Sequence, residues 1–404
     1  MSTPVPASEP APGTLPQLVT PASAATTEVG SYFISNYPPF SQWQTEFVPQ
    51  ALQALDARPT DTADTPLGLY IHIPFCEQRC YYCAFTVKVA REETFAAYVR
   101  DLIQEIALSG WRDTPETIFL GGGTPSLLEG ALIDQILKQF SGAAEISLEA
   151  NPGTLKVEKL EAWRRAGVNR VSLGAQSFHD EDLKAAGRLH HASDVFSDFA
   201  LLRQHGFQNI NIDLIAGLPN QRIDLWQSNL DHIATLRPEH VSVYMLELEE
   251  RSPWARVRHA PELPEDEQFV LFYNTACAQL EAAGYVHYEI SNWALRGSEC
   301  RHNLKYWEGA PYRGFGVGAH SFDCATRFWN TASLEDYSAA VRSNRLPVAD
   351  SETLTRSMRL DERFMLGLRR TEGFNIHLVA EELGIRYPSE WFGRIERSEE
   401  HTSE

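Results

Sequence analysis

Two patterns of hydrophobic residues, one typical of strands and one typical of helices, alternate along residues 67–250. Together they predict strands that are followed by helices. The short strand candidates are Gly68–Ile73, Thr117–Leu120, Glu145–Glu149, Arg170–Leu173, Asn209–Ile215 and His240–Leu246. The longer, helix-type patterns are Glu92–Ser109, Gly130–Phe140, Lys156–Ala166, Asp180–Ala186, Ser193–His205 and Leu225–Leu236. Strands that alternate with helices indicate parallel βαβ units.

Six units of this kind predict an α/β fold in the form of a partial (βα)6 barrel of the TIM type. Active sites in such barrels are built from the loops at the carboxyl ends of the strands. A doubly wound sheet is the alternative, because the number of strands alone does not distinguish the two folds.

The pattern changes after Leu246 and predicts further, less regular units. The predicted elements there are a helix at Glu265–Gly284, a strand at Tyr285–Ile290 and helices at Met358–Leu368 and Ile376–Leu383. We therefore divide this part into a post-barrel extension and the start of a small, mostly helical C-terminal domain. The predicted boundaries are 67–250 for the barrel, 251–345 for the extension and 346–396 for the C-terminal domain.

The first 66 residues precede the predicted barrel, and residues 1–30 lack the apolar content of a packed domain. Residues 1–45 are rich in Pro, Ala and Thr, and we expect a disordered tail whose aromatic stretch Tyr32–Trp43 latches onto the main domain. Residues 46–66 predict a short helix and a linker. A secretory signal is not expected, since a basic start and a continuous apolar core are both missing. The first basic residue is Arg58, which also argues against an organellar transit peptide.

Charge and composition narrow the range of partners. The net charge of the 404 residues is −19, which argues against binding to a nucleic acid backbone. No apolar run reaches about 18 residues, so no transmembrane segment is expected. Six cysteines are too few for a disulfide scaffold in a chain of this length, and we expect a cytoplasmic protein with reduced thiols.

Three cysteines form the most informative motif. Cys76, Cys80 and Cys83 follow the first strand in a C-x3-C-x2-C spacing. Three thiolates can hold three irons of a [4Fe–4S] cluster and leave the fourth iron without a protein ligand. A zinc site is the alternative, but it usually needs a second cysteine pair or two histidines. A structural disulfide is a further alternative.

The segments Tyr70-Ile-His-Ile-Pro-Phe-Cys76 and Cys80-Tyr-Tyr-Cys-Ala-Phe85 resemble the cysteine motif of radical S-adenosylmethionine (SAM) proteins. They are most similar to the oxygen-independent coproporphyrinogen III oxidase family and, within it, to the haem chaperone branch HemW. The resemblance runs from about Leu67 to Leu383. It implies a radical SAM barrel in which SAM binds the open iron through its amino and carboxylate groups, and in which an electron from the cluster can cleave SAM.

A glycine run follows the second strand as Leu120-Gly-Gly-Gly-Thr-Pro125, which by itself could be only a tight turn. The resemblance implies that Gly122, Gly123 and Thr124 contact SAM. It assigns six polar residues to the same pocket. These residues are Tyr70, Tyr82, Glu149, Gln176, Arg188 and Asp213. A structural ion pair is the alternative for the carboxylates, since a buried charge needs a partner.

The extension contains His302-Asn-Leu-Lys-Tyr-Trp307, which resembles a segment of the HemW branch. Histidine is a common axial ligand of haem iron, so His302 is a candidate haem ligand. The alternative is that His302 and His320 only donate hydrogen bonds within packed loops.

Phe85 distinguishes the two branches of the resembled family. The enzyme branch carries a further cysteine at this position, giving Cys-x-Cys, and this chain has Phe85 instead. We therefore expect a haem chaperone that uses a [4Fe–4S] cluster and SAM, receives electrons from a donor and delivers haem to acceptor apo-proteins. The alternatives are a coproporphyrinogen III oxidase of porphyrin biosynthesis and a radical SAM protein with an unrelated substrate; no catalytic residue is assigned.

The last eight residues, Arg397-Ser-Glu-Glu-His-Thr-Ser-Glu404, resemble a translated sequencing adapter. We expect residues 397–404 to be a read-through artefact and the C-terminal domain to be truncated. A genuine acidic tail is the alternative.

Overall fold

The computed structural model describes residues 67–256 and 263–384. The predictions for the 1–45 tail, the 46–66 helix and linker and the 397–404 octapeptide lie outside the described residues, as does 385–396 of the predicted C-terminal domain. Within the described part of the chain, no helix combines the length and the apolar content needed to cross a membrane.

Strands and helices alternate in the first two thirds of the described chain, as the hydrophobic pattern predicts. The strands are β1 (Gly68–Ile73), β2 (Phe75–Cys76), β3 (Lys88–Val89), β4 (Thr117–Gly122), β5 (Glu145–Ala150), β6 (Arg170–Gln176), β7 (Ile210–Ala216), β8 (His240–Met245), β9 (Val286–Glu289), β10 (Asn292–Ala294), β11 (Tyr312–Phe315), β12 (His320–Phe322), β13 (Thr326–Asn330) and β14 (Val348–Thr353). The helices are α1 (Glu92–Leu108), α2 (Gly130–Leu137), α3 (Val157–Arg165), α4 (Asp180–Ala185), α5 (Ala192–Gln204), α6 (Ile223–Leu236), α7 (Asp266–Ala282), α8 (Arg301–Trp307), α9 (Leu334–Arg342), α10 (Arg356–Gly367) and α11 (Ile376–Leu383).

Twelve of these strands form one open sheet in the order β14-β13-β12-β11-β1-β4-β5-β6-β7-β8-β10-β9. All pairs from β11 through β1 to β8 are parallel. From β1 to β8 the order never reverses, whereas a doubly wound sheet has a reversal point. The predicted fold class, a partial (βα)6 barrel, is therefore confirmed, and the doubly wound alternative is wrong.

The extension completes both sides of the parallel sheet. Strands β10 and β9 add to β8 in antiparallel fashion, and β11 adds to β1 in parallel fashion before β12 to β14 continue the sheet. Strand β14, at Val348–Thr353, belongs to this sheet although we expected mostly helix beyond residue 346. Helices α10 and α11 follow it and share a small apolar core of Leu360, Val379 and Leu383.

The parallel strands separate apolar from polar side chains because neighbouring residues of a strand point to opposite faces. In β7, Ile210, Ile212 and Leu214 are fully buried in the main apolar core. Asn211 and Asp213 point to the other face, where Asn211 Nδ2 donates to Ser172 Oγ of β6 at 2.7 Å. The face opposite the apolar core is therefore lined by hydrogen-bonding groups.

Candidate functional site

The three motif cysteines lie on one loop at the carboxyl end of β1. Cys76 ends β2 and is buried, while Cys80 and Cys83 are partly exposed. All six cysteines of the chain are free thiols, so the disulfide alternative is not observed. Burial is the main cause that raises the pKa of the Cys76 thiol to about 11; the nearby thiols of Cys83 and Cys80 act in the same direction, and the hydrogen bond from Thr124 opposes them. The three sulfur atoms therefore share one electrostatic environment.

Two of the thiols receive hydrogen bonds from side chains of other loops. Thr124 Oγ1 donates to Cys76 Sγ at 3.6 Å, and Arg188 Nη1 donates to Cys80 Sγ at 3.5 Å. Such donors stabilise negative charge on sulfur. These two hydrogen bonds favour the thiolate form, whereas burial, which raises the pKa of Cys76, favours the neutral thiol.

Backbone contacts tie the cysteine loop to neighbouring loops. Tyr81 N donates to Ala186 O at 3.1 Å, and Trp254 N donates to Tyr81 O at 2.9 Å. Arg79 donates to the Cys83 carbonyl oxygen through Nε at 3.3 Å and Nη2 at 3.1 Å. The loop after β1 is therefore held by the loops that follow β6 and β8.

The glycine run packs directly against the backbone that enters the cysteine loop. Gly122 has φ +113°, and a Cβ atom built on it would lie 2.4 Å from the His72 ring. Gly123 N donates to Ile73 O at 2.8 Å, and Thr124 N donates to the carbonyl of Phe75 at 2.7 Å. These contacts explain the glycines by close packing, and contact of Gly122, Gly123 and Thr124 with SAM stays a prediction.

Glu149 and Asp213 share the polar face of the sheet. The register aligns Glu149 with Ser172 of β6, and Ser172 with Asn211 of β7. Glu149 Oε2 accepts the Gly122 N–H at 2.9 Å. Burial and the nearby Asp213 raise the pKa of Glu149 to about 8. This carboxyl is therefore mostly protonated at neutral pH.

Asp213 lies in the middle of β7. Its oxygens accept hydrogen bonds from Ser172 Oγ at 2.9 Å and from Asn211 Nδ2 at 2.7 Å. Burial raises the pKa of Asp213, and these hydrogen bonds oppose the increase. Within residues 67–256 and 263–384 neither Glu149 nor Asp213 contacts a basic side chain as an ion pair, but the charge of the nearby Arg170 partly offsets the rise in the pKa of both carboxyls.

Gln176 and Arg188 reach the same edge of the sheet. Gln176 ends β6 with φ +68° after a register shift from Leu173, and such a bulge redirects the side chain. Arg188 Nη2 donates to Gly174 O at 2.7 Å. The buried Nε of Arg188 has no hydrogen-bond partner, so one donor is available to a ligand.

Of the two predicted tyrosines, Tyr70 lies on β1 and Tyr82 lies within the cysteine loop. Tyr70 OH is 3.0 Å from His72 Nδ1, and His72 Nε2 is 2.9 Å from Thr86 O. Tyr82 packs beside Trp254, with ring centroids 6.4 Å apart. All of the residues predicted for SAM therefore lie on the polar face or in the loops around the cysteines.

Asn151 and His72 are two residues of this site that the sequence did not identify. Asn151 Oδ1 accepts Arg188 Nη2 at 2.8 Å, and Asn151 Nδ2 donates to Thr124 Oγ1 at 3.0 Å. His72 connects Tyr70 to the carbonyl of Thr86. The signal for Asn151 was available, since it is a polar residue directly after a buried strand in Leu-Glu-Ala-Asn-Pro.

His302 lies at the opposite ends of the strands from the cysteines. It is 1 % exposed and stacks on Phe119 at a centroid distance of 5.2 Å. Its Nδ1 is 2.9 Å from Thr117 Oγ1, and its Nε2 is 2.9 Å from Tyr306 OH. Both ring nitrogens are therefore engaged, and haem ligation by His302 stays a prediction that this arrangement does not favour.

The donor set of the loop consists of thiols, which are the ligands of iron–sulfur clusters. In the described ranges, no three His, Cys, Asp or Glu side chains converge closely enough to hold one ion, and this holds for the three motif cysteines as well. Three thiols on one loop, with donors at Cys76 and Cys80, match the ligands and outer hydrogen bonds of an iron–sulfur cluster.

Comparison with known proteins also indicates a radical SAM protein. Residues 70–231 match the radical SAM superfamily. The chain is similar to the haem chaperone HemW of Bacillus subtilis, with 38% identity over 328 residues that cover 78% of this chain and 86% of that protein. It is 38% identical to HemW of Escherichia coli over 63% of this chain and 70% of that protein. The solved structure of the radical SAM enzyme coproporphyrinogen III oxidase (HemN) from Escherichia coli aligns with a TM-score of 0.76 and 26% identity, covering 87% of this chain and 86% of that one.

Proposed function

The chain belongs to the HemW family of radical SAM proteins, and from this premise we propose that it binds haem and delivers it to acceptor proteins. The observation that carries the proposal is the similarity to haem chaperones along 86% of the length of the Bacillus subtilis protein. Phe85 supports it, because the enzyme branch of the resembled family has a cysteine at that position. The Phe85 side chain is 65% exposed beside the cysteine loop.

We assign a [4Fe–4S] cluster to Cys76, Cys80 and Cys83. When bound, such a cluster supplies single electrons at the iron that has no protein ligand. Thr124 and Arg188 donate hydrogen bonds to two of the sulfurs and hold negative charge there. A cytoplasmic location suits thiolates of this kind, because that compartment keeps thiols reduced.

We assign SAM to the polar face next to the loop. Arg188 is suited to the carboxylate of SAM, since its Nε is unpartnered and the guanidinium carries a permanent positive charge. Glu149, Gln176 and Asp213 are suited to hydroxyl groups of a ribose. Tyr70, Tyr82, Gly122, Gly123 and Thr124 complete the proposed pocket.

A second candidate function is oxidative decarboxylation of coproporphyrinogen III. It is favoured by the similarity in fold to HemN. The two functions separate under anaerobic, reducing conditions with SAM and coproporphyrinogen III. A haem chaperone leaves the substrate unchanged, and formation of protoporphyrinogen would refute our choice. A haem titration of the same sample, followed by the Soret band, tests haem binding directly.

The cluster assignment is tested by single replacements of cysteine by alanine. We expect Cys76→Ala, Cys80→Ala and Cys83→Ala each to lose the brown absorbance, the iron and the sulfide of the reconstituted protein. Cys277→Ala is the matched control, since Cys277 lies on α7 away from the loop and should leave the cluster intact. A cluster that survives all three loop replacements would disprove the assignment.

A further inference from the structure

Asn151 connects the two side chains that donate to the cysteine thiols. Its Oδ1 accepts Arg188 Nη2 at 2.8 Å, and its Nδ2 lies 3.0 Å from Thr124 Oγ1. Arg188 continues to Cys80 Sγ and Thr124 continues to Cys76 Sγ. A single amide group thus stands between the donors of two proposed cluster ligands.

The direction of each hydrogen bond in this chain is determined by chemistry. A guanidinium has only donors, so the Asn151 atom that faces Arg188 must be the oxygen. The NH₂ group of Asn151 therefore faces Thr124, and Thr124 Oγ1 must accept from it. The single hydroxyl proton of Thr124 is then left to point at Cys76 Sγ.

Both backbone polar groups of Asn151 form hydrogen bonds, and these bonds fix the position of its side-chain amide between Arg188 and Thr124. Asn151 N donates to Ser126 Oγ at 3.2 Å, and Thr154 Oγ1 donates to Asn151 O at 2.6 Å. Thr124 itself is only 2 % exposed, so water does not replace these partners readily.

We propose that Asn151 is a positioning residue that orients the Thr124 hydroxyl toward Cys76 and thereby raises the reduction potential of the cluster. The proposal rests on the proposed [4Fe–4S] cluster. Hydrogen bonds to the sulfurs of a cluster favour its more negative, reduced state, and they are one of the factors that set its potential. Asn151 acts on the cluster only through Thr124 and Arg188.

The informative variant is Asn151→Asp, which keeps the size of the side chain. Arg188 can still donate to the carboxylate, but the carboxylate has no N–H for Thr124. The Thr124 hydroxyl then donates to Asp, and Cys76 loses its donor. Because the new charge also affects the cluster, the effect must be measured with and without the hydroxyl.

The test compares wild type, Asn151→Asp, Thr124→Val and the double variant after anaerobic reconstitution without SAM. The midpoint potential of each cluster is measured by redox titration with EPR detection. We expect Asn151→Asp to move the potential to more negative values, and to move it further when Thr124 is present than when Thr124→Val has removed the hydroxyl. The proposal would be overturned if Asn151→Asp shifted the potential equally in the wild-type and Thr124→Val backgrounds. It would also be overturned if Asn151→Asp caused no shift in the wild-type background.

Two further outcomes are informative. If wild type itself holds no cluster, the proposed function fails and this inference fails with it; a cluster with equal shifts defeats the inference alone. If Thr124→Val does not load a cluster, Thr124→Ser, which keeps the hydroxyl, replaces it as the second background. Asn151→Asp must then shift the midpoint potential as far in the Thr124→Ser background as it does in wild type. Loss of that shift in the serine background also overturns the proposal.

Discussion

At the scale of single residues, Glu149 couples stability to pH. Burial, with help from Asp213, raises the pKa of this carboxyl from 4.5 to about 8. Between these values the folded protein keeps a proton that the unfolded chain releases. The contribution of protonated Glu149 to the free energy of unfolding is therefore complete below about pH 4.5, and it is lost as the pH rises through about 8.

We expect the free energy of unfolding of Glu149→Gln to fall less between pH 5 and pH 8 than that of wild type, since glutamine does not titrate and this range lies within the linkage window of about pH 4.5 to 8. Urea unfolding across this range measures the difference. Glu158→Gln, which changes an exposed carboxyl on α3, is the control and should follow wild type. Parallel curves for Glu149→Gln and wild type would contradict the expectation.

His302 is the residue for which the predicted role, as a haem ligand, agrees least with the structure. With both ring nitrogens hydrogen-bonded and the ring stacked on Phe119, we expect His302→Ala to lower the free energy of unfolding by about 2–4 kcal/mol and to leave the haem titration unchanged. Thr117→Val removes one partner and keeps the ring, so it is the matched control, with an expected cost of about 1–3 kcal/mol. A Soret shift that disappears in His302→Ala and persists in Thr117→Val would make His302 a ligand after all.

At the scale of elements, the end of β4 positions the cysteine loop through Gly122. The positive φ of this residue is unfavourable for any side chain, and a Cβ would also meet the His72 ring. We expect Gly122→Ala to displace His72 and Ile73 and to reduce the iron content after reconstitution, together with a loss of about 1–3 kcal/mol in stability.

Gly284→Ala is the control for the backbone strain alone. Gly284 has φ +90°, and a Cβ there meets nothing within 4 Å. We expect this variant to lose stability but to retain the full iron content. Equal iron contents in Gly122→Ala and Gly284→Ala would show that the contact with His72 is unimportant for the loop.

The local pattern predicted the elements better than it predicted their partners. Strands β1 and β4 to β8 could be predicted from the sequence, because each short apolar run forms its own strand, whereas the two-residue strands β2 and β3 were not predicted. The sequence missed that β6 continues to Gln176, since the bulge depends on β7 beside it. It also could not place Asn151 between Arg188 and Thr124, because those residues come together only when β4, β5 and the loop after β6 are adjacent.

At the scale of the whole molecule, the boundary drawn at residue 250 does not coincide with a boundary in the sheet. Strand β11 pairs with β1 through the register Gly68↔Tyr312 to Ile71↔Phe315, and β10 pairs with β8. Glu145 of β5 also accepts the backbone N–H groups of Arg301 at 3.2 Å and His302 at 3.1 Å. The segment after the barrel therefore completes both sides of the parallel sheet and covers the amino ends of its strands.

These contacts lead to a prediction about fragments. Residues 67–256 alone would expose the backbone groups of β1 and β8 along two long edges, and unpaired edges of buried strands favour aggregation. They would also leave the Glu145 carboxylate without the N–H groups that it accepts. We therefore expect the 67–256 fragment to aggregate or to lack cooperative unfolding, as measured by size-exclusion chromatography and circular dichroism. Residues 67–384 serve as the control and should unfold cooperatively, because they keep β11 beside β1. A monomeric 67–256 fragment with a sharp unfolding transition would show that the parallel strands form an independent domain and that the extension is not needed for folding.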